Sequence, residues 1–484
     1  MINFRLLSQV VGTLLFLEAF LLFTALGVGI FYEETNYFTF GIPIFLTIAL
    51  GIGFKYMGRG AVNKLGRRDG FLILSSTWLI YSIIGMLPFL FGGHLTNVAQ
   101  AFFEAMSGFT TTGASVFTNI DTLPHSILWW RSLMHWIGGM GIVFFTVAFL
   151  PTLGSGDQQL FSAESTGLKI GKLHPKITTT ARWLWSLYVL LSISCTASYH
   201  FAGMDFFDAI NHGLSTVATG GFSTHQDSLA YFNNPNIEWI AIAFMFISSV
   251  NFTLVYMFFI KRQFREVWKD GELRFFVFII LFCTLSIGTT LCVNGEQFAT
   301  AFRDSTFTTV ALISTTGFVT ADFNQWHPCL LILTLLISAM GACAGSTSGG
   351  IKAVRVLTAY KLGISEFRRL LHPKAVFPLR INNKIITTDV ARTVFVYFAL
   401  CFALLGLGTM TFVALDYSML DALSLSITSF SNVGPGIGHE IGPIDAMNAI
   451  PDIGLWMCSF LMLVGRLEIF SLLLPLFPDF WKDK

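Results

Sequence analysis

Four glycines recur along the chain at intervals of about a hundred residues, each closing a similar short segment. Phe103-Glu104-Ala105 leads to Thr111-Thr112-Gly113, Phe207-Asp208-Ala209 to Ala218-Thr219-Gly220, Arg303-Asp304 to Thr315-Thr316-Gly317, and Leu420-Asp421-Ala422 to Asn432-Val433-Gly434. Glycine adopts backbone angles that turn successive carbonyls to one side, and a threonine before it adds a hydroxyl. A K⁺ ion gives up its water only where replacement oxygens stand ready, which rings of backbone carbonyls supply. The chemistry these residues suggest is oxygen coordination of a dehydrated monovalent cation. A single Thr-Thr-Gly is an ordinary turn, whereas four copies at matching positions predict four pore loops in one chain.

Such loops need a short helix to hold them at membrane depth, where irregular backbone survives only beside protein or a watery cavity. Each glycine follows an apolar stretch of about half the spanning length, and a stretch of about 10 to 14 residues suggests a re-entrant helix. Twelve or thirteen residues before the glycines stand Gln100, Asp208, Asp304 and Asp421, acceptors suited to cap a helix start. Ordinary surface acids are the plainer reading, and the shared offset favours caps. The opposite helix ends would then direct partial negative charge at the glycines.

Two further features sit deeper. The run Gly341-Ala342-Cys343-Ala344-Gly345-Ser346-Thr347-Ser348-Gly349-Gly350 interrupts an apolar segment and makes a poor helix interior. It reads either as a small-residue packing surface or as a flexible loop able to obstruct a pore. It also imitates a phosphate-binding loop, but Lys352 comes one residue late and no strand precedes it, so nucleotide binding by this chain is not expected. Arg466 lies inside the last apolar span, where an ionisable residue usually faces a cavity. A barrier in the pore, a salt bridge and a snorkelling side chain are the alternatives, and Glu468, two residues away, is a poor partner. Glu18 is read as a packing residue.

The elements that position these residues are written in composition. Of 484 residues 54% are hydrophobic and only 12% charged, well below the roughly 25% charge of soluble domains. Apolar runs able to cross about 30 Å of hydrocarbon start near residues 9, 39, 72, 127, 181, 238, 275, 328, 391 and 453. Basic residues gather in the connections 55–68, 169–182, 261–274 and 352–392, which places those inside, with both termini. The seven cysteines show no metal-like spacing, and a net charge of +1 gives nucleic acid nothing to bind. The expectation is an all-α integral membrane protein with ten transmembrane helices and four re-entrant pore helices. Its segments would be an extra helix pair, 1–70, and four pseudo-symmetric helix, pore-loop, helix repeats around one pore: 71–178, 179–273, 274–388 and 389–484.

The four loop sequences resemble the filter motifs of the superfamily of K⁺ transporters that includes the TrkH/TrkG and KtrB proteins of prokaryotes and the plant HKT proteins. The matching stretches are Ser107-Gly108-Phe109-Thr110-Thr111-Thr112-Gly113-Ala114, Ala218-Thr219-Gly220-Gly221-Phe222-Ser223, Ser314-Thr315-Thr316-Gly317-Phe318 and Ser431-Asn432-Val433-Gly434-Pro435-Gly436. The resemblance covers essentially the whole chain. The extra pair, residues 9–56, is similar to the TrkH type and unlike KtrB. In that family glycine at all four filter positions goes with K⁺ preference, and a serine in the first loop with Na⁺ transport in part of the plant branch, so Gly113 implies K⁺. Gln100 and Asn432-Val433 depart from the pattern without removing backbone carbonyls.

The resemblance further implies a gating loop at residues 341–350, a homodimer, and a cytosolic ring of a TrkA-type nucleotide-binding regulator, which the basic loop 361–392 could dock. The expected activity is K⁺-selective, channel-like uptake across a bacterial inner membrane, with K⁺ as cargo and no covalent cofactor. A symporter coupled to H⁺ or Na⁺ is the alternative. A membrane-embedded enzyme is remote, because no nucleophile and base pair or paired carboxylates stand out.

Overall fold

The computed structural model describes residues 2–62, 66–141, 177–375, 380–382, 384–386, 388–438 and 441–482. Most of the expected inner loop 169–182, and parts of the loop 361–392, lie outside the described residues. The described residues are mostly helical, with one short hairpin among them, Arg380–Ile381 against Lys384–Ile385. A helix starts within a few residues of each of the ten expected positions. Five described helices are long and apolar enough to cross a membrane, and seven if each sharply bent pair is one span. The other positions carry helices too short or too polar to qualify by length and composition alone.

Two helices open the chain. The Asn3 side chain caps α1 (Phe4–Phe31) by accepting from Leu6 N, and α1 lies closely on α2 (Phe38–Met57): a Cβ on Gly12 would stand 3.0 Å from the Gly51 carbonyl oxygen. Glu18 on α1 is fully buried, and its carboxylate has no hydrogen-bond partner among the described residues.

After that pair one succession occurs four times: a long helix, a half-length helix, a glycine loop, and a helix that stops early. α3 (Arg67–Gly85) leads to α4 (Val98–Phe109) and α5 (His125–Gly139). α6 (Ile177–Phe201) leads to α7 (Phe206–Ala218) and α8 (Pro235–Ser249), with α9 (Phe252–Phe259) beyond the break. α10 (Gly271–Val293) leads to α11 (Phe298–Ile313), α12 (Pro328–Ala339) and, past the glycine run, α13 (Ala353–Leu371). α14 (Thr388–Val413) leads to α15 (Met419–Ser431), α16 (Asp452–Arg466) and the short α17 (Glu468–Leu473).

The half-length helices have 12, 13, 16 and 13 residues, against the roughly 20 needed to span. Each helix after a glycine loop opens on proline, Pro124 and Pro451 at the cap and Pro235 and Pro328 in the first turn, where no backbone hydrogen bond is lost. Two of these helices run close against the last turns of the half-length helices. A Cβ on Gly138 would lie 1.9 Å from the Phe109 carbonyl oxygen, and one on Gly465 1.8 Å from that of Phe430. The chain turns sharply there, by 111° from α8 into α9 and by 107° after α16. Phe278, Phe282 and Leu285 on α10, and Phe395, Phe402 and Met410 on α14, project outward as a lipid-facing surface requires.

The acceptors expected to cap the half-length helices do not do so. The cap positions are Asn97, whose side chain accepts from Ala99 N, Asp205, which accepts from Phe207 N, Ser418, which accepts from Asp421 N, and Gln297, which makes no side-chain cap bond. Gln100, Asp208 and Asp421 fall three residues later, and Asp304 seven. Short side chains on extended backbone win the cap, leaving the later acids free for other partners. Asp208 accepts from Thr224 Oγ1 at 2.7 Å, Asp421 accepts from the Ser418 hydroxyl at 2.6 Å, and Gln100 Nε2 donates to the Asn448 carbonyl. Asp304 pairs with Arg303.

Candidate functional site

Past each half-length helix the backbone takes one left-handed step, at Thr111, Thr219, Thr315 and Asn432, with φ of 54°, 54°, 59° and 56°. Two residues on, glycine takes another, at Gly113, Gly221, Gly317 and Gly434, with φ of 83°, 86°, 73° and 95°. Between them the N–H of Thr112, Gly220, Thr316 and Val433 donates to the carbonyl of Ser107, Ser215, Ala311 and Thr428, five residues back in each case. The second loop is thus corrected by one residue. Sequence aligned Ala218-Thr219-Gly220 with the other three, but Ala218 is still helical, and Thr219-Gly220-Gly221 is the matching triplet. In that register Gln100, Asp208, Asp304 and Asp421 all stand thirteen residues before the left-handed glycine.

The four loops touch in cyclic order. A Cβ on Gly113 would meet the Gly220 carbonyl oxygen at 2.2 Å, one on Gly221 that of Thr316 at 2.0 Å, one on Gly317 that of Val433 at 1.8 Å, and one on Gly434 that of Thr112 at 2.5 Å. Each glycine therefore backs onto the carbonyl preceding its neighbour's glycine, and the fourth loop returns to the first.

Further out, each adjacent pair is tied again. His225 bonds Asp121, Ala230 N donates to the Val319 carbonyl, Asn324 Nδ2 to the Gly438 carbonyl, and Met447 N to the Ser115 carbonyl. An open recess lies over this face, lined by Thr118, Gln226, Asp445 and Asn448 among others. Burial alone would pull the His225 imidazole down, but the hydrogen bonds it donates to the Asp208 and Asp121 carboxylates outweigh it and hold its pKa above the usual histidine value.

The glycine run lies against the other side of the ring. Gly341 N donates to the Ile351 carbonyl at 2.9 Å, closing the run into a loop. Its members then reach the glycine-loop residues: Gly349 N donates to Thr315 Oγ1 at 2.8 Å, and Thr219 Oγ1 to Thr347 Oγ1 at 3.2 Å. A Cβ on Gly349 would stand 2.8 Å from Asn432 Cβ. Ala344 N donates to Glu272 Oε1 at 2.6 Å, and Ser346 and Ser348 share a hydrogen bond. The Gly345 carbonyl accepts from Phe252 N, and Gly350 takes a left-handed φ of 67°.

Arg466 ends α16 beside this loop. Its guanidinium donates to the Thr347 carbonyl at 2.8 Å and to the Gly139 carbonyl at 3.1 Å, with Gly138 as a further acceptor. It joins the loop to the carbonyl end of α5, where a helix favours positive charge. Glu468, set aside as its partner by spacing, pairs with Arg355.

Sequence reading missed a buried arginine. Arg131 on α5 is 1% exposed, and its Nε bonds Glu104 Oε1 at 2.9 Å, itself fully buried on α4. Its signal, a lone arginine in an apolar run, was the one that singled out Arg466. His135, one turn on, bonds Ser215 Oγ through Nδ1 and stacks on Phe222 at 4.0 Å.

A family model for TrkH, described as cation transport protein, matches residues 37–480. The Trk system potassium uptake protein TrkH of Escherichia coli (strain K12) is 35% identical over 488 residues, covering 99% of this chain and 100% of that protein. TrkG of the same strain is 34% identical, with 99% of each chain covered. The crystal structure of the potassium transporter TrkH from Vibrio parahaemolyticus superposes with a TM-score of 0.89 at 35% identity, over 99% of this chain and 100% of that one.

Proposed function

The chain belongs to the TrkH family of cation transport proteins, a transport family and not an enzyme family, and from that premise we propose that it carries K⁺ into the cell through a selective, channel-like pore. The observation that carries this reading is the closed ring of four glycine loops. In the proposed filter Thr111-Thr112-Gly113, Thr219-Gly220-Gly221, Thr315-Thr316-Gly317 and Asn432-Val433-Gly434 present their carbonyls to the ion. Thr111 Oγ1 and Asn432 Oδ1, buried without a hydrogen-bond partner among the described residues, are further oxygens left for it. K⁺ is the proposed cargo because all four loops keep glycine and because the relatives are named as potassium uptake proteins.

Residues 341–350 act as the gate in this reading, since they press on Thr315, Thr219 and Asn432 from one side. Arg466 adds a fixed positive charge there and holds the gate through Thr347. The proposed setting is the bacterial inner membrane, with ten spans, both termini inside, the chain paired as a homodimer, and a TrkA-type nucleotide-binding ring docked on the basic inner loops. Four repeats preceded by an extra helix pair are the proposed organisation.

The deciding experiment is K⁺ and Na⁺ flux through purified protein in liposomes. Flux that follows the K⁺ gradient in both directions without any H⁺ or Na⁺ gradient is the expected result, and a strict need for a cosubstrate gradient would make the protein a symporter. Gly113→Ser and Gly221→Ser should lower the K⁺ over Na⁺ ratio. Unchanged ratios in both folded variants would remove these loops from the filter.

A further inference from the structure

We infer that Glu104 and Arg131 form a selectivity brace, a buried ion pair that fixes the spacing of the first and second glycine loops and thereby sets how strictly K⁺ is preferred over Na⁺. The inference rests on the reading of these loops as the filter.

The pair is built to touch both loops at equivalent points. Ser115 and Ser223 each stand two residues beyond the left-handed glycines Gly113 and Gly221. Arg131 donates through one terminal nitrogen to Ser115 Oγ at 3.2 Å and through the other to the Ser223 carbonyl at 3.2 Å. Glu104 accepts from Arg131 Nε at 2.9 Å, from Ser115 Oγ at 3.1 Å and from Val116 N at 3.0 Å. One guanidinium thus spans the junction, and one carboxylate anchors it to the first loop.

The second loop is held on its other surfaces too. Phe222 lies under the guanidinium at 4.1 Å and against the His135 ring at 4.0 Å. His212, which occupies in the second loop the place of Glu104 in the first, nine residues before the left-handed glycine, bonds Ser223 Oγ through Nε2 at 2.9 Å. The corresponding residues of the third and fourth loops are Thr308 and Leu425, so neither repeats the charge.

The physical reason for a stiff junction lies in the ions. Na⁺ is smaller than K⁺, and a ring that can contract solvates both, whereas a ring held at one width leaves Na⁺ poorly coordinated. Burying two charges is a weak way to gain stability, because desolvation offsets most of the attraction, and holding one geometry is its better-supported use.

The test is the K⁺ over Na⁺ flux ratio in liposomes for Arg131→Lys, Ser115→Ala and the filter control Gly113→Ser, each with a melting curve. Lysine keeps the charge and a contact with Glu104, but one ammonium cannot reach Glu104, Ser115 and Ser223 together. The expected result for Arg131→Lys is a folded, conducting protein whose ratio falls by about tenfold, the worth of one charge-assisted hydrogen bond, and Ser115→Ala should fall less. If Gly113→Ser lowers the ratio while folded Arg131→Lys and Ser115→Ala keep the parent value, the brace is refuted and the filter stands. If folded Gly113→Ser leaves the ratio unchanged, the filter reading fails and takes the brace with it. Should Arg131→Lys not fold, Ser115→Ala decides alone, since it spares the ion pair and removes only the hydroxyl between its partners.

Discussion

An alanine at position 221 would set its Cβ about 2.0 Å from the Thr316 carbonyl oxygen, on a backbone with φ of 86°. Neither the neighbouring loop nor the torsion can yield cheaply, and overpacking plus a left-handed alanine together cost upwards of about 3 kcal/mol. Position 220 differs, for its Cβ would meet His135 Nδ1 at 2.2 Å, a side chain and not a backbone. Gly220→Ala should therefore be rescued by His135→Ala, while Gly221→Ala should not; equal rescue of both, read by melting temperature and flux, would contradict the assigned register. Arg466 gives a second prediction. A fixed charge about 10 Å from a permeating ion, at an effective dielectric near 20, opposes it by roughly 1.7 kcal/mol. Arg466→Ala should raise K⁺ flux up to about tenfold at unchanged selectivity. Sequence alone would equate lysine with arginine here, but the guanidinium also joins Thr347 to Gly138 and Gly139. Arg466→Lys should fall between parent and alanine, and reduced flux in a folded Arg466→Ala protein would end the barrier role.

Between elements, the outer tie of the first two loops depends on protonation. His225 bridges Asp121 at 2.7 Å and Asp208 at 3.2 Å, with Tyr231 stacked on its ring at 3.5 Å. Because its pKa is raised on folding, its stabilisation is complete below about pH 6.5 and is lost as pH climbs through the raised value. The melting temperature should drop as pH rises above about 6.5 in the parent protein and less so in His225→Gln; parallel profiles would show that the bridge carries no proton-linked stability. What sequence made legible here was the set of half-length helices, whose apolar stretches are too short to span. It could not choose between Gly220 and Gly221, because both follow Thr219 and only the hydrogen bond from Gly220 N to Ser215 separates them. The caps failed for a related reason: a shared offset marks equivalent positions, but the cap itself goes to whichever short polar residue meets extended backbone, here Asn97, Asp205 and Ser418. Glu104 and Arg131 were each visible and unpairable, since they stand 27 positions apart in sequence with a loop between them.

For the molecule as a whole, the asymmetry of basic residues predicts which face meets the cytosol. Cysteines placed at Asp121, Asp227 and Asp445 should react with an impermeant thiol reagent applied outside intact cells, and one at Arg369, near the end of α13, should react only after lysis. Labelling of the Arg369 site in sealed cells would invert the topology. The ring of loops has a consequence of another kind, in inheritance. A homotetrameric channel encodes its loops once, so every mutation appears four times around the axis. Here Gly113, Gly221, Gly317 and Gly434 belong to one chain and have separate codons. A single heritable change alters one quarter of the ring and leaves three standing, so if the ring is the filter proposed above, ion preference can drift by small, survivable steps that a symmetric assembly cannot take.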